Sequence, residues 1–399
     1  MPSRLEHTHN LAAQNAKLIR PFMPELDMLR GVAVLGVLLL HAFYWKYGSA
    51  GFGPWSAKLM EVTRFGWTGV NLFFVLSGFL ITGILLDSKE KPLYYRRFYT
   101  RRALRILPAY YALLILLLLL RTSSVAFVGL SFVYLANMTE FFGVSCAYGP
   151  LWSLAVEEHF YIVWPAVVRR VNMRRLAMIS GSILIVVPVL RSIAFLTGHA
   201  GGLDWYTWFV ADGLATGSLL SVILRGEISR TQVWRLCWML FAGAAVLGVA
   251  GEPLGIATRN RLLGAALQYS TINAMCASVL LLFLLAGTSA AKGYVNISWL
   301  RFLGYLSYGL YLDHLLAFRI YDWACARYFP RMIPSGGDLG LVVMRFALAG
   351  GGAIAAAYGS RKYFEERFLR LKDSLVPKTP DLQEPAATLA AVEAKTQVA

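Results

Sequence analysis

Long apolar runs recur along the chain, separated by short polar or basic stretches. A helix of about 20 apolar residues covers the roughly 30 Å hydrocarbon layer of a bilayer. Runs of that kind are read at 27–46, 66–86, 103–120, 151–168, 176–197, 205–224, 234–251, 263–287, 299–321 and 339–360. The stretch 122–150 is ambiguous, because it is partly apolar yet carries Asn137, Thr139, Glu140 and several glycines. Counting it as a span would invert every later segment. Reading it as a loop or re-entrant segment predicts an all-α, polytopic membrane bundle of about ten transmembrane helices.

Loop charge supports that choice. With the N-terminus in the cytoplasm, the ten-span reading puts 26 lysines and arginines in cytoplasmic segments and 8 in outer loops. The remaining four, Arg30, Arg191, Arg319 and Arg345, fall inside spans and complete the 38 in the chain. Cytoplasmic loops of membrane proteins carry such an excess, so both termini are expected inside. An eleventh span would move the basic loop at 169–175 outside. The expected organisation is a cytoplasmic segment 1–25, a membrane domain 26–370 and a disordered cytoplasmic tail 371–399, where aromatic residues vanish. The polar stretch before the first span is too long and interrupted for a cleaved signal, which makes that span a retained one.

Composition narrows the class further. The chain has 399 residues, 57% of them hydrophobic and 15% charged, which is too apolar for an ordinary soluble globule. Its formal charge of +16 sits in short loops, where membrane anchoring accounts for it; no nucleic-acid partner is expected. The four cysteines lack CxxC spacing and any clustered histidine, so neither a disulfide framework nor a metal site is expected.

Ionisable groups inside spans cost several kcal/mol and mark functional sites. The first span carries Arg30 and His41. Eleven positions apart, they differ by only about 20° around a helix and by roughly 16 Å along it, so they share one face. A snorkelling arginine and a histidine bonded to a neighbouring helix would give the same pattern. The fourth span opens as LWSLAVEEHFYIVWP, with Glu157, Phe160, Tyr161 and Trp164 on one face and Glu158 about 100° away; two acids at a span entrance also fit a helix N-terminus favoured by its dipole. The ninth carries Tyr308, Tyr311 and His314 at i+3 spacing. His41, Glu157 and His314 are thereby expected at similar depth in one site. Before the third span, YYRRFYTRRALRILP concentrates Arg96, Arg97, Arg101, Arg102 and Arg105. Such a cluster holds anionic lipid heads or the phosphates of a soluble donor, since guanidinium forks match phosphate oxygens.

Five motifs in order, the Arg-x10-His of LDMLRGVAVLGVLLLH, then GVNLFFVLSGFLITG, RRALRILP, LWSLAVEEHFYIVWP and YLSYGLYLDH, resemble the membrane acyltransferase-3 family over about 24–370. The resemblance implies a ten-helix O-acyltransferase of the plasma (bacterial inner) membrane. Such an enzyme takes an acyl group, commonly acetyl from acetyl-CoA, and places it on a hydroxyl of a sugar or of an envelope or lipid-linked glycan. By matching motif, it implies catalytic roles for His41 and Glu157 and donor binding by Arg30, Arg102 and Arg105, with Arg101 beside them. Ser77, Trp152, Ser153, Glu158, Tyr308, Tyr311 and His314 are the expected substrate-binding or lining residues. No metal is implied, and acyl-CoA enters as a co-substrate rather than a resident cofactor. The chain departs from the pattern at His159, where glutamine is common, at Asp313, where tryptophan is common, and at Arg367 in the proline position of the closing motif.

Acyl transfer from a thioester needs a base for the hydroxyl proton and donors for the oxyanion. His41 suits the base, with Glu157 polarising it or binding sugar, while the thiol arm reaches past Arg30 along a shared cavity. A covalent relay through His41 or Ser77 is the lesser route. The rival class is a transporter or flippase of a glycan or lipid-linked substrate, since intramembrane charges also line transport pathways; the pair of interrupted segments it requires is not evident in the two halves of the sequence.

Overall fold

The computed structural model describes residues 18–334 and 337–375. Most of the expected N-terminal segment, and 376–399 of the expected tail, lie outside the described residues. Among those described, the elements are helices and turns with no strand. Each predicted span coincides with one long helix. These are α1 (Pro24–Ala42), α3 (Thr68–Asp87), α4 (Tyr94–Leu119), α6 (Leu151–Arg170), α7 (Met173–Leu196), α8 (Thr207–Leu224), α9 (Arg230–Ala250), α10 (Leu262–Gly287), α11 (Ser298–Tyr328) and α12 (Leu339–Arg370). Two shorter helices, α2 (Pro54–Arg64) and α5 (Val125–Phe132), lie in the connections.

Among the described residues, eight helices are long and apolar enough to cross a membrane. The two long helices outside that group, α6 and α11, carry the motif carboxylates and histidine together with several arginines. Two boundaries differ from the sequence reading. The third span, read as starting at 103, begins earlier: helix α4 starts at Tyr94, so the arginines of the basic stretch lie on the same helix as the apolar run. The loop expected at 47–65 contains α2, which begins at Pro54 and runs almost directly into α3.

Segment 122–150 does not cross the bundle. Its only α-helix, α5, has eight residues, about 12 Å of rise against the roughly 30 Å required. The rest packs on the helices: Tyr134 stacks on Tyr110 with ring centroids 4.6 Å apart, and the buried Tyr148 hydroxyl donates to Leu312 O at 2.7 Å while accepting from Leu316 N.

Small residues bring the site-bearing helices together. A Cβ on Gly31 would lie 1.9 Å from Leu300 O, and one on Gly304 1.8 Å from Asp27 O, so α1 and α11 touch backbone to backbone. Such close approach compensates for the weak hydrophobic drive between helices in lipid. Two of the four in-span arginines are consumed structurally. Arg191, fully buried, donates to Phe209 O, Asp212 and Ser270. Arg345 grips Asp322 through two bonds of 2.6 and 2.9 Å and also donates to Ala42 O. In α12 the helix widens at two π turns, Phe346–Gly350 and Ser360–Glu365, and the second turns buried Glu365 toward Ser360 and Arg361.

Candidate active site

Five helices, α1, α3, α4, α6 and α11, enclose a cavity of about 100 Å³. Three arginines reach it: Arg30 from α1, and Arg102 and Arg105 from α4. Their surroundings differ. Arg30 donates to Asp27 Oδ1 at 2.9 Å, one turn earlier on its own helix. Arg102 lies over the Tyr161 and Phe98 rings, 5.4 and 6.0 Å from their centroids. Neither Arg102 nor Arg105 forms an ion pair with any described residue. Arg101, one position along, is exposed and absent from the lining; the sequence grouped it with the other two because adjacency in a basic run does not show which way a residue faces.

Opposite the arginines stand two carboxylates on consecutive positions of α6. Glu157 is held by two hydroxyls: Ser77 Oγ donates to Oε1 at 2.6 Å and Tyr161 Oη to Oε2 at 3.2 Å. Glu158 lines the cavity alongside it. The expected residues Ser77, Ser153, Tyr308 and Tyr311 also line it. Tyr308 Oη donates to Ile106 O at 2.7 Å, tying α11 to α4. Trp152 packs edge-on against Phe74, 5.9 Å between centroids, and supports the wall from behind rather than forming it. Tyr161 was visible on the Glu157 face of the sequence, four residues on, but nothing in a linear pattern marks it as the hydroxyl that fixes the carboxylate.

His41 and His314 meet, although 273 positions separate them in the chain. His314 Nε2 lies 3.2 Å from His41 Nδ1, and the ring centroids are 5.0 Å apart. His41 Nδ1 is also 2.9 Å from Val37 O. His314, with no exposed surface, places its Nδ1 2.9 Å from Tyr311 O and 3.1 Å from Leu310 O.

The expectation that Glu157 joins this pair is not met. Ser153 and Tyr311 share a 2.6 Å hydrogen bond between α6 and α11. Glu157 lies one turn along α6 with the cavity and Tyr308, whereas His314 lies one turn the other way along α11. Glu157 bonds to Ser77 and Tyr161 and makes no hydrogen bond to either histidine. Nor do Arg30 and His41 open on one continuous cavity. Arg30 lines it and His41 does not; Tyr311, edge-on to Phe73 at 5.8 Å, forms the wall on the histidine side. No group of three or more metal-ligating side chains occurs among the described residues.

The chain is similar to the peptidoglycan O-acetyltransferase OatA of Listeria monocytogenes, 34% identical over 171 residues, which are 37% of this chain and 24% of that protein. It is also similar to the putative peptidoglycan O-acetyltransferase YrhL of Bacillus subtilis, 32% identical over 206 residues, 44% of this chain and 29% of that one. A putative O-acetyltransferase of Staphylococcus aureus, SAS0844, is 32% identical over 166 residues, 37% of this chain and 24% of its own. The chain thus spans between 24% and 29% of the length of these curated relatives. No solved structure matches. The family described as "Acyltransferase domain" matches residues 23–360, which takes in every helix of the cavity and both histidines, and the chain belongs to that acyltransferase family.

Proposed function

We infer that this protein is a multi-pass membrane O-acetyltransferase that takes the acyl group from acyl-CoA and esterifies a sugar hydroxyl of an envelope glycan. The observation that carries this reading is the pair Arg102 and Arg105, two guanidinium groups that form no ion pair with any described residue and line a cavity between membrane helices. Unpaired cations so placed call for an anion, and phosphates match guanidinium forks. The donor's phosphates bind at this end, the cytoplasmic one on the orientation that the loop charges support. Its acyl-bearing arm extends along α1 from Arg30 toward His41, a rise of roughly 16 Å. Passage requires the Tyr311 and Phe73 rings to part.

At the histidine end, His41 takes the proton from the acceptor hydroxyl as its oxygen attacks the thioester carbonyl. The carbon–sulfur bond then breaks, the imidazolium returns the proton to the departing thiolate, and the products are an ester and free CoA. Glu157, engaged with Ser77 and Tyr161, shapes the donor cavity rather than acting on His41. The sugar acceptor is supported by the peptidoglycan O-acetyltransferase names of two relatives.

The test uses the purified full chain in lipid nanodiscs with acetyl-labelled acetyl-CoA and soluble peptidoglycan fragments. Alkali-labile label on the glycan is expected. Hydrolysis of the thioester without glycan ester would overturn the acceptor, and absence of donor binding would overturn the assignment of the arginine cavity.

A further inference from the structure

We propose that His314 is a positioning residue that fixes the tautomer of His41, so that Nε2 of His41 carries the free lone pair. The inference rests on the reading of His41 as the base and goes beyond it by assigning which ring nitrogen acts and what holds it.

Carbonyl oxygens only accept, so a ring nitrogen 2.9 Å from one must carry the hydrogen. His314 Nδ1 faces two such oxygens, Leu310 O and Tyr311 O, and is therefore N–H. In a neutral ring its Nε2 is then bare. His41 Nδ1 faces Val37 O and is N–H by the same reasoning. The 3.2 Å contact between the rings thus has one consistent form, His41 Nδ1–H donating to both Val37 O and His314 Nε2. A protonated His314 would set two N–H groups against each other there, with nothing to accept. The remaining nitrogen, His41 Nε2, bonds to no described residue. A lone pair is left there, on a ring held by two acceptors at its other nitrogen. This is how a partner behind a catalytic imidazole sets tautomer and orientation.

Two amide substitutions separate this role from a purely structural one. The amide of glutamine reaches the depth of Nε2 and can present its oxygen to His41. Asparagine reaches only the depth of Nδ1, so it keeps the bonds within α11 and leaves His41 without its partner. His314→Gln should keep kcat within about threefold, and His314→Asn should lower it by about 100-fold with KM for acetyl-CoA unchanged, since general-base catalysis is worth roughly 10²–10⁴. The reverse order, equal losses in both, or full activity in both overturns the proposal.

A second measurement needs no variant at position 314. Nitrogen NMR of the histidine-labelled protein in bilayers, with the His41 signals identified by their loss in His41→Ala, should find Nδ1 protonated and Nε2 bare. The opposite tautomer overturns the proposal. Turnover by His41→Ala would instead overturn the base reading itself, so the two failures are distinguishable.

Discussion

The arginine cavity and the histidine pair are built by opposite means within one bundle. The cavity gathers charge: three guanidinium groups and two carboxylates around open space, with two of the cations left unpaired by the protein. The histidine pair gathers backbone: two imidazoles bonded to three main-chain carbonyls and to each other. Under the proposed function, the cavity keeps electrostatic capacity for an anion, whereas the base is committed at one nitrogen to be available at the other. Tyr311 stands between the two regions, bonded to Ser153 through its hydroxyl while its carbonyl accepts from His314.

The largest effect that would break this comparison is at the histidine end. His41→Ala should reduce transfer by about 10²–10⁴-fold, the worth of a general base, while donor binding persists; comparable losses of binding and turnover would merge the two regions into one. At the cavity, Arg102→Gln and Arg105→Gln should each raise KM for acetyl-CoA by about tenfold with little change in kcat. One charge-assisted hydrogen bond is worth about 1.5–3 kcal/mol, and 1.4 kcal/mol is tenfold. A kcat defect without a KM change would contradict their assignment to donor binding.

Gly304→Ala sharpens the comparison mechanically. Its Cβ would collide with Asp27 O, and overpacking of this kind costs about 1–3 kcal/mol. A lowered unfolding temperature is expected, together with loss at both regions, because Asp27 is the partner of Arg30 and α1 also carries His41. Undiminished stability would mean that the helices have room to separate. The smallest effect belongs to Arg101→Gln, whose exposed side chain lies outside the cavity; steady-state kinetics should stay within about twofold, the small change expected of a surface site.

Most of the fold was legible from apolar run length and loop charge. Each predicted span became a helix, and 122–150 became a packed connection, because the bilayer requirement for a continuous apolar rod of fixed length is a one-dimensional constraint. Motif order likewise carried the family. Arg30 and His41 were rightly placed on one helix, since helical phase is also one-dimensional.

The sequence by itself could not settle which polar residues meet. Glu157, His41 and His314 seemed to share a depth, yet only the histidines touch, and Glu157 is engaged instead by Ser77 and Tyr161. Arg101, Arg102 and Arg105 looked equivalent in the basic run, and helix packing brings Arg102 and Arg105 to the cavity lining and leaves Arg101 outside it. Arg30 and Arg345 were both arginines in spans, but Asp322 on a neighbouring helix makes one of them a structural brace. Span length and helical phase follow from local geometry that every residue carries with it. Partnership across helices depends on crossing points and relative depth, which are fixed by glycine contacts between segments as far apart as Gly31 and Leu300, and only the folded bundle decides them.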